Sequence, residues 1–73
     1  MQQYCMVYDD LFLKMGEIWF EARSDAEAMY IALETCKELK KANGIEVEAS
    51  WAFNLVKLAN ITTCKVIFDK KTE

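Results

Sequence analysis

The stretch SDAEAMYIALETCKELKKANG, residues 24–44, decides the fold. It opens on Ser24-Asp25-Ala26-Glu27, a capping box in which the serine oxygen takes an amide of the first turn and the glutamate reaches back toward the chain before the helix. Met29, Ala32, Leu33, Cys36 and Leu39 follow at spacings of three and four, which predicts one apolar stripe on a 3.6-residue period. Asp25 and Glu27 lie near the start, and Lys37, Lys40 and Lys41 near the end, so both charge groups complement the helix dipole. Asn43-Gly44 supplies the left-handed stop. A single helix with one apolar stripe must bury that stripe against something else.

The flanking sequence predicts strands. Upstream, residues 3–8 and 17–22 read as two strands joined through Asp9-Asp10 and Lys14-Met15-Gly16. Downstream, Ile45-Glu46-Val47-Glu48-Ala49-Ser50-Trp51 alternates apolar with polar, and predicts a strand with Ile45, Val47, Ala49 and Trp51 on one face. Residues 52–60 fit either a helix face (Ala52, Leu55, Val56, Ala59) or a continued strand. The reading favours strand, with a turn near Ala59-Asn60. Cys64, Val66 and Phe68 alternate with Lys65 and Ile67, which predicts a last strand ending near Asp69. The fold class expected is therefore α+β, a two-layer sandwich in ββαββ order with one amphipathic helix packed on an antiparallel sheet.

With 73 residues, no Pro/Gly/Ser-rich linker and no internal repeat, residues 1–73 read as one domain. A chain this size buries only about 60% of its unfolded surface. Its 53% hydrophobic content and lack of proline compensate and argue against disorder. The longest apolar runs, such as residues 28–33, fall far short of the roughly 18 residues of a membrane span, and the N-terminus lacks the basic opening of a secretory signal. Three widely spaced cysteines, Cys5, Cys36 and Cys64, do not suggest a disulfide framework, and a reducing, cytoplasmic setting is expected. A net charge of −3 opposes attraction to phosphate backbones and anionic lipids, so neither nucleic acid nor membrane is the expected partner.

The residues offer little chemistry. Histidine is absent, which removes the commonest general base at neutral pH and the commonest zinc ligand. Cys36 falls on the apolar helix stripe and Cys64 on a core strand parity, so both are expected to be packing residues. No Cys-x-x-Cys pair organises a metal site, and two distant glycines exclude a phosphate-cradling loop. The reading is of a non-enzymatic chain without cofactor. Two alternatives stand beside it. One is a cation site or carboxylate-dependent enzyme using Glu21, Glu46 and Glu48 on a shared sheet face. The other is a single-stranded nucleic-acid platform of Tyr4, Tyr8, Trp19 and Trp51, whose basic surround would reduce to Lys65, Lys70 and Lys71.

One pattern calls for a partner. Strand residues Tyr4, Met6 and Tyr8 alternate with Cys5 and Val7, and Ile18, Phe20 and Ala22 alternate with Trp19, so apolar side chains occupy both faces of a sheet that one helix covers on one side. Leu11, Phe12 and Leu13 could fold over part of the second face. Otherwise a second chain covers it, and Tyr4, Met6, Tyr8, Trp19, Ile31 and Ile67 are the candidate partner-binding residues. The segment GEIWFEARSDAEAMYIA, residues 16–32, resembles the strand–cap–helix module of small sheet-plus-helix families that include HicB-like antitoxins and other mobile-element proteins. The resemblance carries over no functional residue. The function expected is that of a protein-interaction module, an oligomerising accessory protein or small inhibitor or regulator, with another protein, itself as a homodimer, as partner.

Overall fold

A computed structural model describes residues 1–70, and Lys71 lies outside the described residues. The chain runs β1 (Gln2–Asp9), β2 (Met15–Ala22), α1 (Asp25–Ala42), β3 (Leu55–Asn60) and β4 (Lys65–Asp69). The strands form one antiparallel sheet in the order β2-β1-β3-β4, with α1 packed across one face. This is the expected α+β sandwich.

Helix α1 begins and ends where its local sequence dictates. Ser24 is the N-cap, its Oγ accepting the Glu27 amide at 3.1 Å, while Glu27 Oε1 accepts the Arg23 amide at 3.0 Å. At the other end Gly44 adopts φ 71°, the Ile45 amide donates to the Lys40 carbonyl and the Gly44 amide to the Lys41 carbonyl. This paired closure satisfies carbonyls that the helix end would otherwise orphan.

The buried stripe of α1 is Ala28, Ala32, Cys36 and Lys40, rotated from the expected one. Met29 and Leu39 sit at its margin and Leu33 remains 45% exposed. The reason lies in the opposite layer. The covered sheet face is already filled by Tyr4, Met6, Ile18, Phe20 and Leu58, with the Tyr4 and Phe20 rings stacked at 5.7 Å, so the helix lies close only by turning its small residues inward. Lys40 follows the snorkelling pattern, its stem buried and its Nζ donating to the Val47 carbonyl at 3.3 Å.

Residues 45–51 form no strand, which corrects the expectation for that stretch. They are irregular, with a turn at Val47 and Glu48, and the third strand is Leu55–Asn60. Strand β1 has two edges, and β2 and β3 occupy both. The alternation in 45–51 has another use: Ile45, Val47 and Ala49 are half-buried, and the buried Ala52 and Phe53 close the end of the sandwich beside Tyr8, whose ring lies 6.3 Å from that of Phe53.

The β3–β4 turn is residues 61–64, later than the Ala59-Asn60 turn expected. Cys64 therefore lies exposed in that turn with φ 56°, and not in the core as its strand parity suggested. In β4, Phe68 pairs with Leu58 and Val66 with Ala59, which leaves Ile67 as the extra residue of a bulge. The bulge breaks the parity of the strand. Ile67 and Phe68 both pack against the core while Val66 turns outward.

Candidate interaction surface

The six candidate partner-binding residues fall in different places. Tyr4 and Met6 are wholly buried beneath α1, and Tyr8 is half-buried on the same face. Ile31 and Ile67 are half-buried at the margin of that core. The assignment of the four strand residues to the uncovered face is thus corrected, and Ile31, expected to point away from the helix stripe, packs at its margin: β1 turns its larger side chains toward the helix, where ring and thioether area gains most from burial. Trp19 alone of the six stands on the uncovered face, 54% exposed.

The pairing registers define that face. One row crosses all four strands as Trp19, Cys5, Ala59 and Val66. The adjacent row is Glu17, Val7, Lys57 and Asp69, and Met15 with Asp9 and Glu21 with Gln3 extend the face at its two ends. The first row is apolar throughout, with Val66 50% and Trp19 54% exposed at its ends and Cys5 buried between them. Trp19 Nε1 donates to Glu17 Oε1 at 3.3 Å, which holds the indole over its own strand. Beside it, Val7, Met15, Val56, Lys57 and Asp69 line a shallow cleft of about 200 Å³.

The apolar loop does not cover this face. Asp10 Oδ1 accepts the amides of Phe12 and Lys14, and Leu13 adopts φ 60°, which closes the loop as a tight turn. Phe12 is 80% exposed, and Leu11 and Leu13 are exposed with it.

The alternative sites are dispersed. Glu21 precedes the N-terminus of α1, whereas Glu46 and Glu48 follow its C-terminus in irregular chain, and an 18-residue helix separates its ends by about 27 Å. Among the described residues no group of three or more Cys, Asp or Glu is placed to hold a metal ion. Of the four aromatic residues of the nucleic-acid platform, Tyr4 and Tyr8 face the helix and Trp51 lies in the irregular segment, leaving only Trp19 on the open sheet face. The thiol of Cys5 is pushed above its ordinary value by burial and by Glu17 nearby, against the opposing pull of Lys57, and that of Cys36 is pushed up by burial. Both are therefore weak nucleophiles at neutral pH.

A polar cluster missed in the sequence joins three elements on the covered side. Tyr4 Oη donates to Asp25 Oδ1 at 2.8 Å, and Asn60 Nδ2 donates to the same oxygen at 3.0 Å and to Gln2 Oε1. Asn60 Oδ1 accepts the Thr63 amide at 3.0 Å, which fixes the β3–β4 turn. These bonds, from Asn60 first and Tyr4 second, hold the Asp25 carboxyl below its ordinary value, while burial and the Asp25 carboxylate push Tyr4 up to about 12. Every group is paired, so the cluster is a structural clamp between β1, β3 and the start of α1. The sequence carried no signal for it, because Asn60 read as a turn residue and its place at the end of β3 is known only from the structure.

No helix among the described residues is long and apolar enough to cross a membrane. Comparison with known protein families, curated proteins and solved structures finds no significant match. The functional reading therefore rests on the surface itself.

Proposed function

We propose that this chain is a non-enzymatic protein-interaction module, an accessory or regulatory protein that engages another protein through the sheet face opposite α1. The single observation that carries the reading is the uncovered apolar row ending in Trp19 and Val66, with Met15 60% exposed beside it. Tryptophan and methionine are enriched where interfaces bury area, and the flanking Glu17, Glu21 and Lys57 supply a charged rim. A second copy of the chain is the simplest partner, since homo-oligomers are the commonest soluble assemblies. Unpaired cysteines at all three positions fit a reducing, cytoplasmic setting.

The test is affinity capture from the native cell with wild-type, Trp19→Ala and Val66→Asp baits, beside sedimentation of the purified chain. The reading expects one stoichiometric partner, or the chain itself, that both substitutions release. Monomeric behaviour at high micromolar concentration, together with capture that neither substitution alters, overturns it.

A further inference from the structure

We infer that β2 is a pairing edge at which a second copy of this chain adds its own β2 antiparallel, with the two-fold axis at Ile18, joining two sheets into one. The inference goes beyond the proposed function, since it uses the β2 edge and not the face between Trp19 and Val66, and it rests on that reading only for the claim that the chain binds protein.

The two edges of the sheet are built differently. Strand β4 has five residues, is bulged at Ile67 and carries Lys65 at its start and Lys70 just beyond it, the devices by which edges resist strand addition. Strand β2 is neither short nor bulged, and its only charges are Glu17 and Glu21. Its eight residues pair with β1 in unbroken register from Met15 to Ala22, without bulge, proline or lysine, and include the run Ile18-Trp19-Phe20.

Its free backbone groups are identified by the bonds elsewhere in the sheet. The Ile61 amide donates to the Gln3 carbonyl, and the Asp9 amide to the Asn54 carbonyl, so the odd residues of β1 turn their backbone toward β3. The even residues of β1 therefore bond β2, as the Asp10 amide does with the Lys14 carbonyl at the turn. By the alternation of an antiparallel ladder, Met15, Glu17, Trp19 and Glu21 direct their N–H and C=O groups outward from the sheet.

The charges on β2 select the register. Centring the pair on Glu17 sets that residue against its own copy, and centring it on Trp19 sets Glu17 against Glu21 of the other copy. Like charges directly opposite are destabilising. Centring on Phe20 shortens the ladder and calls on the Arg23 amide, which Glu27 Oε1 already occupies. With the axis at Ile18, Glu17 faces Trp19 of the second copy, Glu21 faces Met15, Phe20 faces Gly16, and the two strands overlap from Met15 to Glu21. The indole N–H already directed at Glu17 in its own strand then has a second carboxylate across the interface.

Sedimentation equilibrium from about 1 to 500 μM is the first measurement, and dimers are expected within that range. Glu17→Pro removes an outward N–H while leaving the β1–β2 ladder intact, and is expected to weaken the dimer about tenfold or more, since both copies lose a bond. Circular dichroism of the same variant confirms that it folds. Register is read by oxidative trapping in a Cys64→Ser background. Ile18→Cys is expected to cross-link rapidly, because residues facing each other at a wide pair lie within disulfide reach, and Trp19→Cys slowly. A monomer throughout overturns the inference, and the proposed function then survives if a different protein is captured in a Trp19-dependent way. A dimer that folded Glu17→Pro leaves unchanged overturns the edge, and faster trapping through Trp19→Cys overturns the register.

Discussion

Strand β1 sends Tyr4, Met6 and Tyr8 to one face of the sheet and Cys5 and Val7 to the other, and the two sets meet different surroundings although both are largely apolar. On the covered face the large side chains of β1, β2 and β3 close over Ala28, Ala32 and Cys36, and Tyr4, Met6 and Leu58 lose all contact with solvent. On the open face the row through Trp19 and Val66 has no layer of the described residues above it. The difference teaches that hydrophobicity alone does not place a strand residue in a core. The core belongs to the face on which large sheet residues and small helix residues interlock, and what is left over becomes the surface offered to a partner.

The largest expected effect lies on the covered face. Leu58→Ala removes a wholly buried side chain at the centre of the sheet and should cost about 2–5 kcal/mol, enough to leave a domain this small partly unfolded in urea titrations at room temperature. Asn60→Ala leaves the Thr63 amide unpaired and removes one partner of Asp25 and Gln2. A loss of about 1–3 kcal/mol is expected by the same titration. Ser24→Ala deletes the N-cap acceptor and should lower stability by about 1 kcal/mol, with loss of amide-exchange protection confined first to the start of α1.

Acid titration sharpens the comparison, because the covered face holds Asp25, whose carboxylate takes the Tyr4 and Asn60 side chains together. Asp25 is held below its ordinary value of 3.8, so its folded form binds protons less readily than the unfolded chain. Its contribution is complete above about pH 4 and is lost as pH falls through the lowered value. Thermal midpoints should accordingly decline on acidification below pH 4, and Asp25→Asn should flatten that decline. The smallest effect on stability belongs to the open face: Trp19→Ala should move the unfolding free energy by no more than about 0.5 kcal/mol while abolishing partner binding. A loss as large as that of Leu58→Ala would show that Trp19 serves the fold, and would break the contrast between the faces.

The sequence made the helix legible to the residue at both ends, because caps and stops are hydrogen bonds between near neighbours. Ser24, Glu27 and Gly44 act as their spacing indicated. The open face was legible only as an excess: two-sided apolar strands announce that one face will remain uncovered, but parity does not say which. Of the partner-binding residues expected, Trp19 occupies the open face, and the Ile67 parity was reset by a bulge that no local residue pattern marks. The Tyr4–Asp25–Asn60 clamp was not read, because its members stand 21 and 35 residues apart.

By itself, then, the sequence determined the capped helix, the ββαββ order and the surplus of apolar strand area, all of which depend on interactions within a few residues. Tertiary structure decided which alternating segment entered the sheet, which way the helix stripe turned and which face of β1 was buried. Residues 45–51 have the pattern of a strand and lack a free edge of β1 to pair with, while Leu55–Asn60 reaches it. Strand pairing is a contest between distant segments for a limited set of backbone partners, and its outcome is fixed by the assembled layers.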